Sequence, residues 1–170
     1  VIKAGIALVA AQAAAVVTVH AIDRMRTARI PGGVHGFPTL PPTDTVIGDT
    51  VARTYTEGTS LYEDMLEAID AAQHHIYFET FIWRSDRWGQ RFKEALIAAA
   101  KRGVEVFCVW DGFGVLNQDP RFYTFPSMPN LHVRRFPTLR SGFFTLNIRR
   151  TGQDHRKILV VDGEVGFVGG

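Results

Sequence analysis

Asp154-His155-Arg156-Lys157-Ile158-Leu159-Val160-Val161-Asp162, followed by Gly169-Gly170, is the stretch on which the reading of this chain turns. Its spacing is H-x-K-x4-D with a trailing Gly-Gly. Ile158–Val161 is an unbroken β-branched and leucine run, which predicts a strand buried on both faces. Strand side chains alternate, so His155 and Lys157, two apart, project to one side and can meet one ligand. Asp162, five beyond Lys157, falls on the other face and roughly 16 Å away at about 3.3 Å per residue. With Gly163 it lies between two apolar runs, which predicts a tight hairpin turn and a structural role for the carboxylate. On that reading asparagine would serve at position 162 as well as aspartate.

Working outward, residues 75–83 and 104–110 read as strands, with a helix over 88–102 stopped by Gly103. Ser60-Leu61-Tyr62-Glu63 has the form of a capping box opening an amphipathic helix to about Gln73, with Leu61, Met65, Leu66 and Ile69 on one face. Such alternation predicts an α/β domain whose mixed or largely parallel sheet is flanked by helices. There is no internal repeat.

The motif is specific. H-x-K-x4-D arises by chance in roughly 2% of chains this long, and the Gly-Gly makes coincidence far rarer. The segment resembles the first catalytic motif of the phospholipase D superfamily, and within it is most similar to bacterial cardiolipin synthases and their actinobacterial relatives. Softer matches extend from about Val46 to Gly170 and include Tyr77-Phe78-Glu79-Thr80-Phe81-Ile82-Trp83 and Arg102-Gly103-Val104-Glu105-Val106. The resemblance implies a phospholipase D-like half domain in which His155 is the nucleophile on a phosphodiester and Lys157 holds the phosphoryl oxygens. It implies a phosphatidyltransferase working through a covalent phosphohistidine, with no metal and no cofactor; a phosphodiesterase or nuclease with the same nucleophile is the alternative, and a noncatalytic membrane or nucleic-acid binding remnant is a third. Asp162, Gly169 and Gly170 would support the motif.

The chemistry suits those residue types. A neutral imidazole is a competent nucleophile near pH 7, and a covalent intermediate divides one hard displacement into two. An ammonium stabilises phosphate oxygens most where charge builds up, in the transition state. The bland alternative, a surface histidine beside a basic cluster, fits a lone histidine better than it fits the whole pattern.

Superfamily members either carry two such motifs or pair single-motif domains. None of His20, His35, His74, His75 and His132 has a lysine two residues on. The expected partner is therefore a second catalytic half, from sequence beyond Gly170 or from a dimer mate, and the chain reads as the N-terminal half of a longer enzyme. The division expected is residues 1–22 as a transmembrane or membrane-anchor helix, 23–47 as a Pro/Gly-rich linker, and 48–170 as the first catalytic half, truncated at its C-terminal end.

Residues 4–19 are apolar apart from Gln12 and Thr18, slightly short of the roughly 20 a spanning helix needs. Arg24, Arg26 and Arg29 follow, so the positive-inside tendency predicts a cell-membrane protein with its catalytic domain on the cytoplasmic side. A cleaved signal peptide and a soluble alanine-rich helix are the rivals. Prolines and glycines crowd residues 30–44, as a linker requires.

The net charge is only +2, and 46% of the 170 residues are hydrophobic, ample for a core. Charge is concentrated, however. Arg134, Arg135, Arg140, Arg149, Arg150, Arg156 and Lys157 face the single acid Asp154 between 131 and 157, a field favouring an anionic substrate, here a phospholipid at a membrane. Nucleic acid is not the expected partner, since no binding module accompanies the basic stretch. Phe143, Phe144, Leu146 and Ile148 suit a membrane-facing rim or core packing equally. Cys108 reads as an inert buried thiol, and Asp111-Gly112-Phe113-Gly114, after a strand, falls where open α/β sheets place ligands, with a plain turn as the alternative. Glu79, in an apolar strand, needs a partner: a catalytic imidazole to orient, or a nearby arginine.

Overall fold

The computed structural model describes residues 2–28, 39–137 and 154–169, in two compact units spanning Val1–Thr39 and Leu40–Gly170. The expected basic and aromatic loop residues Arg140, Phe143, Phe144, Leu146, Ile148, Arg149 and Arg150 lie outside the described residues, as does Gly170.

Among its described residues the first unit holds one helix, α1 (Ile2–Ala28), whose apolar residues are spread around its circumference and not gathered on one face. Thr18 Oγ1 donates back to Ala14 O at 2.8 Å, the usual way a helical threonine satisfies its hydroxyl. Among the described residues no helix is long and apolar enough to cross a membrane. The helix also continues to Ala28, past the expected boundary at 22.

The second unit opens with a hairpin, β1 (Thr43–Ile47) and β2 (Thr50–Thr54), turned at Gly48-Asp49 with Gly48 at φ +60°. It begins inside the segment expected to be linker. The prolines masked a short strand pair whose signal, a Gly-Asp turn between β-branched residues, is the ordinary two-residue hairpin pattern.

Next come α2 (Gly58–Ala71), β3 (His75–Thr80), α3 (Arg87–Lys101), β4 (Glu105–Asp111), a 3-10 turn (Pro120–Tyr123), β5 (Leu131–Phe136), β6 (Ile158–Val161) and β7 (Val165–Val168). The sheet order is β5-β4-β3-β6-β7, parallel across β5, β4 and β3 and antiparallel at β3–β6 and β6–β7. The mixed sheet is the one expected. Helix α3 forms because Phe92, Leu96, Ala99 and Ala100 recur at helical spacing and are all buried. Asp86 caps its N-terminus by accepting from Gly89 N at 3.0 Å, and Gly103 at φ +99° ends it. Helix α2 starts earlier than its capping box predicted. Glu57, not Ser60, is the N-cap, and it accepts from both Ser60 N and Ser60 Oγ.

Both helices contribute to a single core. Leu66, Ile69, Phe92 and Leu96 join Ile76 and Phe78 of β3, Val106, Cys108 and Trp110 of β4, and Leu159 and Val161 of β6. Alternation decides this: Ile76 and Phe78 of β3 and Val106, Cys108 and Trp110 of β4 are buried, whereas Tyr77 and Phe107 are exposed and stack on one another at 5.1 Å. Likewise β6 buries Leu159 and Val161 while Ile158 and Val160 are half-buried, so it is covered fully on one face only. Burial pushes the Cys108 thiol far above its usual range, as an inert packing residue requires.

Candidate active site

The motif enters the sheet beside β3, where Ile158 faces Glu79 and Val161 faces Ile76. His155 and Lys157 precede β6, and the structure brings them together. Lys157 Nζ lies 3.1 Å from His155 Nδ1 and donates to His155 O at 3.0 Å. With the ammonium charged, Nδ1 accepts and the neutral ring carries its proton on Nε2. Phe81, just past β3, packs against the imidazole with ring centroids 4.3 Å apart, and the same ring has Lys157 Nζ 5.7 Å from its centre. His155 is exposed and Lys157 half-buried, so a solvent-borne phosphodiester can reach both.

Asp162 stands apart from this pair, in the β6–β7 turn at φ +55° beside Gly163 at φ +72°. Its carboxylate accepts from the backbone N–H groups of Gln73, His74 and His75, each at 2.8 Å, while its own N–H donates to His75 O at 2.9 Å. Those backbone donors hold it at about 2, below the ordinary aspartate value. Gly169 N donates to Lys157 O at 3.3 Å, extending the hairpin ladder toward the motif lysine.

Glu79 does not reach the imidazole. Its Oε1 lies 2.7 Å from Arg156 Nη2, and Arg156 Nε and Nη2 also grip the buried Asp154 carboxylate at 2.9 and 3.1 Å. Two carboxyls therefore share one guanidinium. Burial and then Asp154 push Glu79 up to about 7, outweighing the attraction of Arg156, while the hydrogen bonds from Arg156 hold Asp154 low. The strand predicted to run to residue 83 is shorter than expected. The strand ends at Thr80, and Trp83 turns into the core.

Two positioning contacts had no clear signature in the sequence. Asp111, at the end of β4 and 1% exposed, accepts from Phe113 N and Gly114 N, as a turn residue does. Its second oxygen accepts from Asp154 N at 2.9 Å, across 43 residues, fixing the backbone just before His155. Gly114 lies so close to Phe81 that an added Cβ would sit 2.1 Å from Phe81 O. The turn was legible; the long-range partner was not, because only the β3–β4–β6 pairing brings it near. Among the described residues no group of three His, Cys, Asp or Glu side chains could hold a metal ion.

This geometry can be set beside known proteins. A family profile described as "Cardiolipin synthase, PLD-like domain" matches residues 65–170, which include β3, β4 and the motif. The chain belongs to that family. Cardiolipin synthase 1 of Bacillus anthracis is 36% identical over 123 residues, covering 71% of this chain and 23% of that protein. The major cardiolipin synthase ClsA of Bacillus subtilis is 31% identical over 115 residues, 68% of this chain and 23% of its own length. The cardiolipin synthase-like chain thus spans less than a quarter of these curated relatives. Among solved structures, Nuc from Salmonella typhimurium, a phospholipase D family member, has a TM-score of 0.41 at 25% identity, covering 59% of this chain and 56% of that one. NucT from Helicobacter pylori gives 0.47 at 16%, covering 65% of each.

Proposed function

We propose that the protein carries the first catalytic half of a membrane-associated phosphatidyltransferase of the cardiolipin synthase type. The observation that carries this reading is the 3.1 Å approach of Lys157 Nζ to His155 Nδ1 within the stretch that matches the cardiolipin synthase domain. An arriving phosphodiester competes for the ammonium and draws it off Nδ1, leaving the ring able to present an unprotonated nitrogen to phosphorus. The N–P bond forms as the P–O bond to the leaving alcohol breaks, and Lys157 neutralises the charge gathering on the non-bridging oxygens. The leaving alcohol takes its proton from an acid that this pair does not supply, which is the part assigned to a histidine of a second half. A second alcohol, or water, then attacks the phosphohistidine and restores the imidazole. Asp162 and Gly169 act in this reading as supports of the hairpin, and Glu79 through Arg156 and Asp154. The substrate is a phospholipid, and the domain works on the cytoplasmic side of the cell membrane.

The test is chemical. Brief reaction of the full-length protein with phosphatidylglycerol labelled in its phosphate should trap a phosphoenzyme stable to base and labile to acid. His155→Ala should abolish both the trap and turnover. Lys157→Met should leave the fold intact and slow transfer by a factor on the order of 100, as expected if the cation contributes about 3 kcal/mol to the transition state. Wild-type turnover in His155→Ala removes the proposal, and cleavage of DNA in preference to lipid would replace it with a nuclease.

A further inference from the structure

A cleft of about 480 Å³ opens between the N-terminal ends of α2 and α3, the end of β3 and strand β7, and Lys157 borders it. That volume is in the usual range for a small-molecule site. The lining is chiefly apolar, with Leu61, Tyr62, Met65, Ile82, Trp88 and Phe167, while Glu79, Arg84 and Asp86 also border it. Its floor is made by Phe78 and Phe92, which are buried, whereas Ile82 is 47% exposed and lies at the mouth. Core packing explains the floor, but not an exposed isoleucine over an apolar hollow.

We propose that this cleft receives an acyl chain of the lipid whose phosphodiester meets His155 and Lys157, an inference that rests on the phosphatidyl-transfer reading. Lys157 is the link, since one side chain both borders the cleft and touches the nucleophile. A phosphate held on its Nζ has the hollow as the next space for whatever the phosphate carries. The lining favours a flexible apolar chain over a nucleobase. The Tyr62 and Trp88 rings pack edge to face with centroids 5.4 Å apart, Tyr62 also meets Phe92 at 5.7 Å, and Arg91 lies over Trp88 at 4.7 Å. These rings are thus engaged with one another and with Arg91, whereas base recognition needs an open aromatic face. Removing methylenes from water needs no partner of fixed direction, only the apolar wall present here.

Two measurements on the full-length protein test the cleft. The first compares kcat/KM for dioleoyl and dihexanoyl phosphatidylglycerol in wild type and Ile82→Asp, with Tyr62→Ala as a second variant. Each buried methylene is worth about fourfold, so a charge at the mouth that keeps a few of them in water should lower the long-to-short ratio more than tenfold. The second is crosslinking by a phosphatidylglycerol with a diazirine in its acyl chain, located by mass spectrometry and independent of turnover. Adducts within residues 58–65, 82–92 or 165–169 are expected. Adducts confined to other segments, or a ratio unmoved in both variants, overturn the cleft. Cleft adducts in a protein whose lipid turnover survives His155→Ala would overturn the reaction reading and leave the lipid where it was found.

Discussion

The Asp162 carboxylate gathers backbone donors from Gln73, His74 and His75, tying the turn after β6 to the loop before β3 across nearly ninety residues. Positive φ suits asparagine and aspartate alike, so turn chemistry alone would tolerate Asp162→Asn. The acceptors do not. An amide has one oxygen, and its NH₂ would face the Gln73 N–H, donor against donor. Asp162→Asn should therefore lower stability by about 1–3 kcal/mol, read as a fall in Tm, and an unchanged Tm would show that the donors find water as readily. The neighbouring acids make a second prediction. Glu79, raised to about 7, stabilises the fold through its neutral form, fully present below the unfolded value near 4.3 and lost as pH rises toward 7. Asp154, held low, contributes above about 3.9 and is lost as pH falls below that. Glu79→Gln, which mimics the neutral form, should flatten the decline of Tm between pH 4.5 and 7. Parallel wild-type and variant curves would mean that the Arg156 pair keeps Glu79 ionised throughout.

Among the elements, the turn after β4 couples the sheet to the nucleophile. Asp111 holds Asp154 N, and Gly114 leaves room for Phe81, whose ring rests on His155. Gly114→Ala must push the Phe81 backbone aside and should cost about 1–3 kcal/mol, with a fall in kcat beyond the loss of folded protein. Gly166→Ala, where an added Cβ meets nothing within 4 Å, is the control and should stay within about 0.5 kcal/mol in a thermal melt. Equal effects at the two glycines would remove the link to Phe81. Periodicity made α3 and β4 legible because each buries one regular face of its own, and the Asp162-Gly163 turn between apolar runs made the β6–β7 hairpin legible. It could not place Asp111 against Asp154, or Arg156 between two carboxylates, since those neighbours exist only once β6 has docked on β3. The β1–β2 hairpin escaped notice because prolines crowd the segment before it and its exposed strands bury no face whose alternation could be read, so that its Gly-Asp turn alone marked it.

On the scale of the whole molecule, the sequence suggested an anchor in residues 1–22, and α1 is a 27-residue helix whose apolar residues are not confined to one side. If it holds the full-length protein at the membrane, the protein should sediment with membranes and resist both high salt and carbonate, because apolar burial is insensitive to ionic screening. Release by carbonate would leave peripheral attachment instead. The sheet carries a different consequence, one of timing. β3 is its central strand, and both its neighbours come from later in the chain at very different distances: β4 follows at once through α3, while β6 arrives some eighty residues later. On a ribosome the β3–α3–β4 unit emerges first and waits with one edge of β3 unpaired, an open invitation to another chain. The strand that closes this edge is the one that follows His155 and Lys157 directly. A half-made molecule consequently has a sheet to protect and no catalyst to restrain, and the same docking event ends both conditions.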